Sequence, residues 1–230
     1  MDNIWDDFIT EEMKKPYMQE LVSFVKERRT KANVLPEPCN LFLAFKLTEW
    51  HNIKVVIIGH EPSPTAADSH GLAFSSLAKE TPYSLQNIFN EVLNDIYESN
   101  SRGVKIFQTN NLTAWAKQGV LLLNSVWTTE ENTPGAHKDK GWETFTANTV
   151  KFINTNHTSR IAWMLWGKPA KDLKKHINID KHLVLESEHP AALRNNPLAF
   201  TGNRHFSKAN NFIKKHYFNH KSPINWHLIP

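Results

Sequence analysis

Four short runs of apolar residues constrain this chain more than anything else in it. They are "IKVVIIG" (53–59), "GVLLLNSV" (119–126), "RIAWMLWG" (160–167) and "KHLVLES" (181–187). None alternates apolar with polar residues, so none suits a sheet with one face in water; near-continuous runs of this kind suit parallel strands covered on both faces. Segments of helical period separate them. "PYSLQNIFNEVLNDIYES" places Leu85, Ile88, Phe89, Val92, Leu93 and Ile96 at i, i+3 and i+4 spacing. "GWETFTANTVKFINTN" repeats the pattern with Phe145, Val150, Phe152 and Ile153, and "GKPAKDLKKHI" sets a proline in its first turn, where the missing N–H costs nothing. Strand–helix alternation with short connections predicts an α/β fold: one three-layer domain over 1–230, with a central four-stranded parallel sheet flanked by helices and an N-terminal helical segment, 1–35, packed on it. A chain of 230 residues is long enough to bury such a core.

Several function classes fall away at once. The single cysteine, Cys39, excludes a disulfide framework and any cysteine-ligated zinc or iron–sulfur site, and it points to a reducing, cytoplasmic setting. No stretch approaches about 18 consecutive apolar residues, and the acidic start "MDNIWDDFITEEMKK" has no uncharged core, so neither a membrane anchor nor a signal peptide is expected. There is no GxGxxG and no GxxxxGK[ST], which removes dinucleotide and P-loop readings. The net charge of +4 is unevenly placed: Arg160 to Lys221 holds 12 Lys and Arg against 4 Asp and Glu. That profile suits a binder of phosphate backbone and equally suits a solvated surface.

In open α/β sheets, ligands bind beyond the carboxyl ends of the strands. The segments there are "HEPSP", "NSVWTTEENTPGAHK", "GKPAK" and "EHPAALR". They bring Glu61 after the first run, Asn124 at the end of the second and His189 after the fourth, with Phe74 shortly downstream of Glu61. Singly, each has a plain structural reading: a solvated loop charge, a turn cap, a turn residue before proline, a core ring. Together they put a carboxylate, an amide, an imidazole and an aromatic ring at one end of one sheet.

The loop and its neighbours resemble the uracil-DNA glycosylases of family 1. That family carries GQDPYH and then HGLAFS; here "GHEPSP" and "HGLAFS" stand at the matching separation. The likeness continues through "TPYSLQNIFNE" (81–91), "WAKQGVLLLN" (115–124), "HKDKGWETFT" (137–146), "MLWGKPA" (164–170), "HPAAL" (189–193) and "RHFSKAN" (204–210), in order over roughly 40–226. The resemblance implies a DNA glycosylase that flips a base out of the helix. Glu61 and His189 would be catalytic: the carboxylate holds water and faces a cationic sugar, and the imidazole donates to the O2 of the leaving base. Phe74 would stack on the base and Asn124 would read its N3–H and O4, beside His60 at the family's glutamine position. Leu193 would wedge into the duplex, and Ser84 and the N–H groups around Gly167 and Lys168 would hold phosphate. The implied partner is DNA, single- or double-stranded, bound by a monomer without metal or organic cofactor; whether a proteinaceous DNA-mimic inhibitor docks stays open.

The departures are informative. Glu61 replaces the family's aspartate and reaches about 1.5 Å further. Pro64 replaces a phosphate-contacting histidine, and Ala191 and Arg194 replace serines, with Arg194 able to restore a phosphate contact. Ser63 replaces a tyrosine whose ring, in the family, stands against C5 of the base and excludes thymine. Its loss implies tolerance of 5-substituted uracils such as thymine, 5-hydroxymethyluracil or bulkier bases, and with it an activity that could be directed at base-modified viral DNA, a phage-defence use. Two alternatives remain open at this level: a weak but ordinary uracil glycosylase, and a DNA-binding module of the same fold without catalysis.

Overall fold

The computed structural model describes residues 3–97, 106–194, 196, 199–217 and 222–228, and all but the side chains of Leu193 and Arg194 among them. Helices α1 (Asn3–Met13) and α2 (Pro16–Arg29) lead to a short strand β1 (Val34–Leu35) and to α3 (Leu43–Leu47). The first long run forms β2 (Val55–Gly59); α4 (Tyr83–Ile96) and α5 (Thr113–Lys117) precede β3 (Val120–Asn124). After β4 (Thr129–Glu130) come α6 (Trp142–Asn156), β5 (Ala162–Trp166), α7 (Lys168–Lys171), β6 (Leu183–Ser187) and α8 (His205–His216).

The four expected strands are the four strands of one parallel sheet, in the order β3-β2-β5-β6. Every residue of β2 and β5 is buried, because helices cover both faces. The register sets Gly59 opposite Asn124 and Trp166 opposite Ser187, so the strands end level and their following loops open onto a common rim. In α4 the buried residues Leu85, Ile88, Phe89 and Val92 follow the spacing read from the sequence. Trp5 of α1 stacks on Phe45 of α3 at 4.2 Å between ring centroids and donates its indole N–H to Thr48 O at 3.1 Å. The N-terminal helices are thereby joined to the aromatic core.

Two features differ from the expectation. "GKPAKDLKKHI" does not form one α-helix: α7 ends at Lys171 and a 3-10 segment, Asp172–His176, follows. Between Lys168 and His176 only Ala170 and Leu173 are buried, so little packing opposes the tighter winding. The second feature is an antiparallel ribbon, β1 with β4, pairing Val34 with Glu130 and Leu35 with Thr129. At two residues per strand it has no period to read. It ties the segment after α2 to the loop that follows β3.

Two buried histidines give the fold a pH dependence. The Ile161 N–H donates to His182 Nδ1, and the Trp166 indole N–H donates to His205 Nδ1, both at 3.0 Å. Each ring must keep Nδ1 unprotonated to accept. Burial first, then Lys181 beside His182 and Lys208 beside His205, pushes these rings down to about 4 and about 3. The unfolded chain takes up the same protons near pH 6.5, so the contribution is complete above about pH 6.5 and is lost as the pH falls toward about 4. Urea denaturation should show stability falling by on the order of 2–4 kcal/mol between about pH 7.5 and about pH 5. A His205→Gln variant should show a shallower slope; equal slopes would contradict the assignment.

Candidate active site

Gly59 is the floor of the site. A Cβ built there would lie 2.8 Å from Phe74 Cζ and 2.9 Å from Asn124 Oδ1, distances that real side chains do not adopt. The absent side chain lets the Phe74 ring and the Asn124 amide meet over the strand ends. Phe74 is held at φ 65°, a conformation few non-glycine residues take, with its ring 5.2 Å from Trp166 and 5.5 Å from His189 between centroids. Gly167, at φ 89°, makes the matching allowance on the other side, since a Cβ there would sit 3.2 Å from His189 Cβ.

His189 is fixed from behind. The Ala191 N–H donates to its Nδ1 at 3.1 Å, which leaves the ring proton on Nε2. Burial first, then His60 across the site, pushes its pKa down to about 4, so the ring is neutral at physiological pH. The segment that carries it is tethered by Asn87 of α4, whose side-chain N–H donates to Pro190 O at 2.9 Å.

Glu61 lines the same cavity and does not point to bulk solvent. The Gly135 N–H donates to both of its oxygens, at 2.9 Å to Oε2 and 3.1 Å to Oε1. The loop 130–137 that brings Gly135 is braced at its base. Arg28 of α2 grips Glu130 with Nε at 2.6 Å and Nη2 at 2.9 Å, and His137 Nε2 lies 3.3 Å from the same carboxylate. Arg28 holds the Glu130 carboxyl below the ordinary range, and burial keeps His137 neutral. His137 must then carry its proton on Nε2 and accept at Nδ1 from the Thr128 hydroxyl, 2.7 Å away; that hydroxyl in turn accepts the Trp142 indole N–H at 2.6 Å.

The cavity has a volume of about 620 Å³ and is lined by His60, Glu61, Ser63, Phe74, Asn124 and His189 together. That size lies within the roughly 300–1,000 Å³ of small-molecule sites. Its wall also takes in an apolar group: Pro36, Leu41, Ala44 and Trp127. Ser84, the second residue of α4, and Ala191 line it as well. Lys168 is exposed at the start of α7 with its ammonium 3.6 Å from Asp172. The Gly167 N–H is donated to Ser187 O at 3.0 Å, and the glycine makes room for His189. The side chains of Leu193 and Arg194 lie outside the described residues. Among the described residues no group of three or more His, Cys, Asp or Glu could hold a metal ion, and no helix is long and apolar enough to cross a membrane. Gly135 and the Arg28–Glu130 brace were not singled out in the sequence. The "PG" at 134–135 was the available signal, lying inside a segment already placed at the strand ends.

Comparison with known proteins gives one consistent result. The profile of the Uracil DNA glycosylase superfamily matches residues 45–214. The uracil-DNA glycosylase of Amoebophilus asiaticus is 41% identical over 224 residues, covering 96% of each chain, and uracil-DNA glycosylase 1 of Listeria innocua is 36% identical over 230 residues, covering 99% of each. Among solved structures, mimivirus uracil-DNA glycosylase superposes with a TM-score of 0.84 at 26% identity, covering 99% of this chain and 87% of that one. A point variant of mimivirus UNG in complex with UGI gives the same TM-score and identity, with 89% of that chain covered.

Substituting Gly59→Ala should push the Phe74 ring and the Asn124 amide apart. Overpacking of this kind costs about 1–3 kcal/mol. Denaturation together with the Phe74 ring resonances in NMR checks it; an alanine variant of unchanged stability and unchanged ring shifts would show that the floor is not close-packed.

Proposed function

The chain belongs to the uracil DNA glycosylase superfamily, and on that premise we propose that it is a DNA glycosylase that hydrolyses the N-glycosidic bond of a flipped uracil-type base and accepts uracils substituted at C5. The observation that carries this reading is the single cavity in which Phe74, Asn124, His189 and Glu61 meet, with Ser63 and an apolar group in the same wall.

Each step has a physical basis. A base in a duplex must be extruded before its glycosidic bond can be reached. Phe74 offers a ring on which the extruded base stacks. Asn124 can accept from N3–H and donate to O4, a pattern that cytosine reverses. As the C1′–N1 bond lengthens, negative charge gathers on the base and positive charge on the sugar. The neutral His189 donates its Nε2–H to O2, where the negative charge collects, and Glu61 faces the sugar and orients the water that bonds to C1′. The electron pair of the broken bond leaves with the base, so no redox group is called for. The water sheds its proton to the Glu61 carboxylate as it bonds to C1′, and that proton passes through solvent to the base anion.

Serine at 63 leaves C5 without the bulky neighbour that a tyrosine would provide. Ser63 accepts the Thr65 N–H at 3.3 Å, which turns its hydroxyl back onto the loop. Pro36, Leu41, Ala44 and Trp127 supply apolar surface suited to a methyl or longer substituent. UGI bound to the mimivirus homologue makes a protein inhibitor of this chain a reasonable further partner.

Duplex and single-stranded oligonucleotides carrying one uracil, thymine or 5-hydroxymethyluracil, followed by alkaline cleavage of abasic sites, test the reading. Release of the 5-substituted bases is expected, and Ser63→Tyr should reduce it at least 10-fold relative to uracil. Release of uracil alone, unaffected by Ser63→Tyr, would refute the pocket argument. For the neutral His189, the single-turnover rate should show no loss traceable to this ring from about pH 8 down to about pH 5, because its protonation sets in only near 4. A fall centred near pH 6.5 that disappears in His189→Asn would refute the neutral donor.

A further inference from the structure

Glu61 carries one more methylene than the aspartate of the resembled loop, and the extra reach has a partner. The Gly135 N–H lies between its two carboxylate oxygens, 2.9 and 3.1 Å away. Gly135 has a φ of 75°, yet a Cβ built on it would meet nothing within 4 Å. Glycine is therefore required at 135 for the direction of the backbone, not for space. Three ties set where that N–H stands. The Asn132 N–H donates to Pro64 O at 2.8 Å, joining the two loops side by side; the Glu131 N–H donates to Asn33 O at 2.9 Å; and Glu130 is gripped by Arg28 and His137. The donor is placed by the rest of the fold and does not depend on Glu61 to hold it.

We propose that the Gly135 N–H is a positioning group for Glu61, so that this site is built to the length of a glutamate and an aspartate in its place serves it poorly. The proposal rests on the reading of Glu61 as the carboxylate that faces the sugar. A carboxylate offers about four lone-pair sites, and one N–H shared between its oxygens leaves room for a water and for the sugar. A free glutamate samples many rotamers, and a displacement of ~1 Å at a reacting group can cost on the order of 100-fold in rate. Shortening the side chain breaks the tie and moves the carboxylate together.

Two measurements test this. In ¹⁵N-labelled protein the Gly135 amide proton should lie downfield in the wild type and move upfield in both Glu61→Ala and Glu61→Asp; an amide shift indifferent to both variants overturns the contact, whatever the enzyme's substrate. Single-turnover base release is then measured on whichever oligonucleotide the wild type cleaves. Glu61→Asp should slow release about 10- to 100-fold with little change in KM. Replacing Gly135 by glycolic acid, which exchanges the N–H for an ester oxygen and keeps the turn, should slow it by a similar factor. The combined variant should be no slower than Glu61→Asp alone, because both changes remove the same contact. An aspartate variant as fast as the wild type, an ester without effect, or losses that multiply would overturn the proposal. If the wild type releases no base from any oligonucleotide, the functional reading fails and the amide shift alone decides the tie.

Discussion

Gly59 opposite Asn124 is the pairing on which the site depends. Parallel register alone would bring two loops to the same rim, but it would not bring them into contact. The missing side chain at 59 does that, allowing the Phe74 ring and the Asn124 amide to within 3 Å of where a Cβ would be. Gly59 O then accepts from both the N–H and the hydroxyl of Ser125, and His60 O accepts from the Val126 N–H, so the chain leaving β2 and the chain leaving β3 are zipped for two further residues. The loop carrying Glu61 and Ser63 therefore starts from a fixed direction. Its freedom begins only at Glu61.

What restrains it from there is the loop after β4, braced by α2. Arg28 lies in α2 and Glu130 in β4, 102 residues apart, and their bidentate pair is partly shielded from water. A partly desolvated, doubly hydrogen-bonded arginine–carboxylate pair resists rotation in a way an exposed lysine pair does not. His137 adds a neutral donor to the same carboxylate, and the chain of hydroxyl and indole behind it ends in the core at Trp142. The N-terminal helices thus brace the rim opposite Glu61 as well as covering apolar surface.

Much of this was legible in the sequence because β2, β5 and all but the last residue of β3 are buried. The edge strand β6, read as equally covered, instead leaves Glu186 exposed, because among the described residues no strand flanks it on one side. "VVIIG", "VLLL" and "AWMLW" admit no solvent-facing position, and parallel strands so buried place their following loops at a common rim. Glu61, Asn124, His189 and Phe74 were found by their distance from strand ends and by family likeness. The remainder was illegible for identifiable reasons. The β1–β4 ribbon is too short to have a period, and α7 stops early where few residues are buried to hold a longer helix. Gly135 acts through its backbone, and a main-chain N–H has no letter of its own. The use of Gly167 could not be seen either, since whether an N–H is free or already donated to Ser187 is a question of neighbours that only the fold answers.

The changes clustered in the loop 60–64 can be weighed against the state of what surrounds them. A loop drifting without function would be expected to lose its partners along with its residues. Here Glu61 has a specific donor, Ser63 closes a turn with Thr65, and Pro64 O is paired with Asn132. Phe74 is kept at a positive φ, which costs a non-glycine residue on the order of 1–3 kcal/mol and persists only where the surroundings over-determine it. His189 is held neutral, with its proton on the side away from Ala191. Freeing Phe74 would relieve its backbone strain, and that has not occurred. Ordered replacements beside retained strain are the pattern of a site kept in order rather than one abandoned.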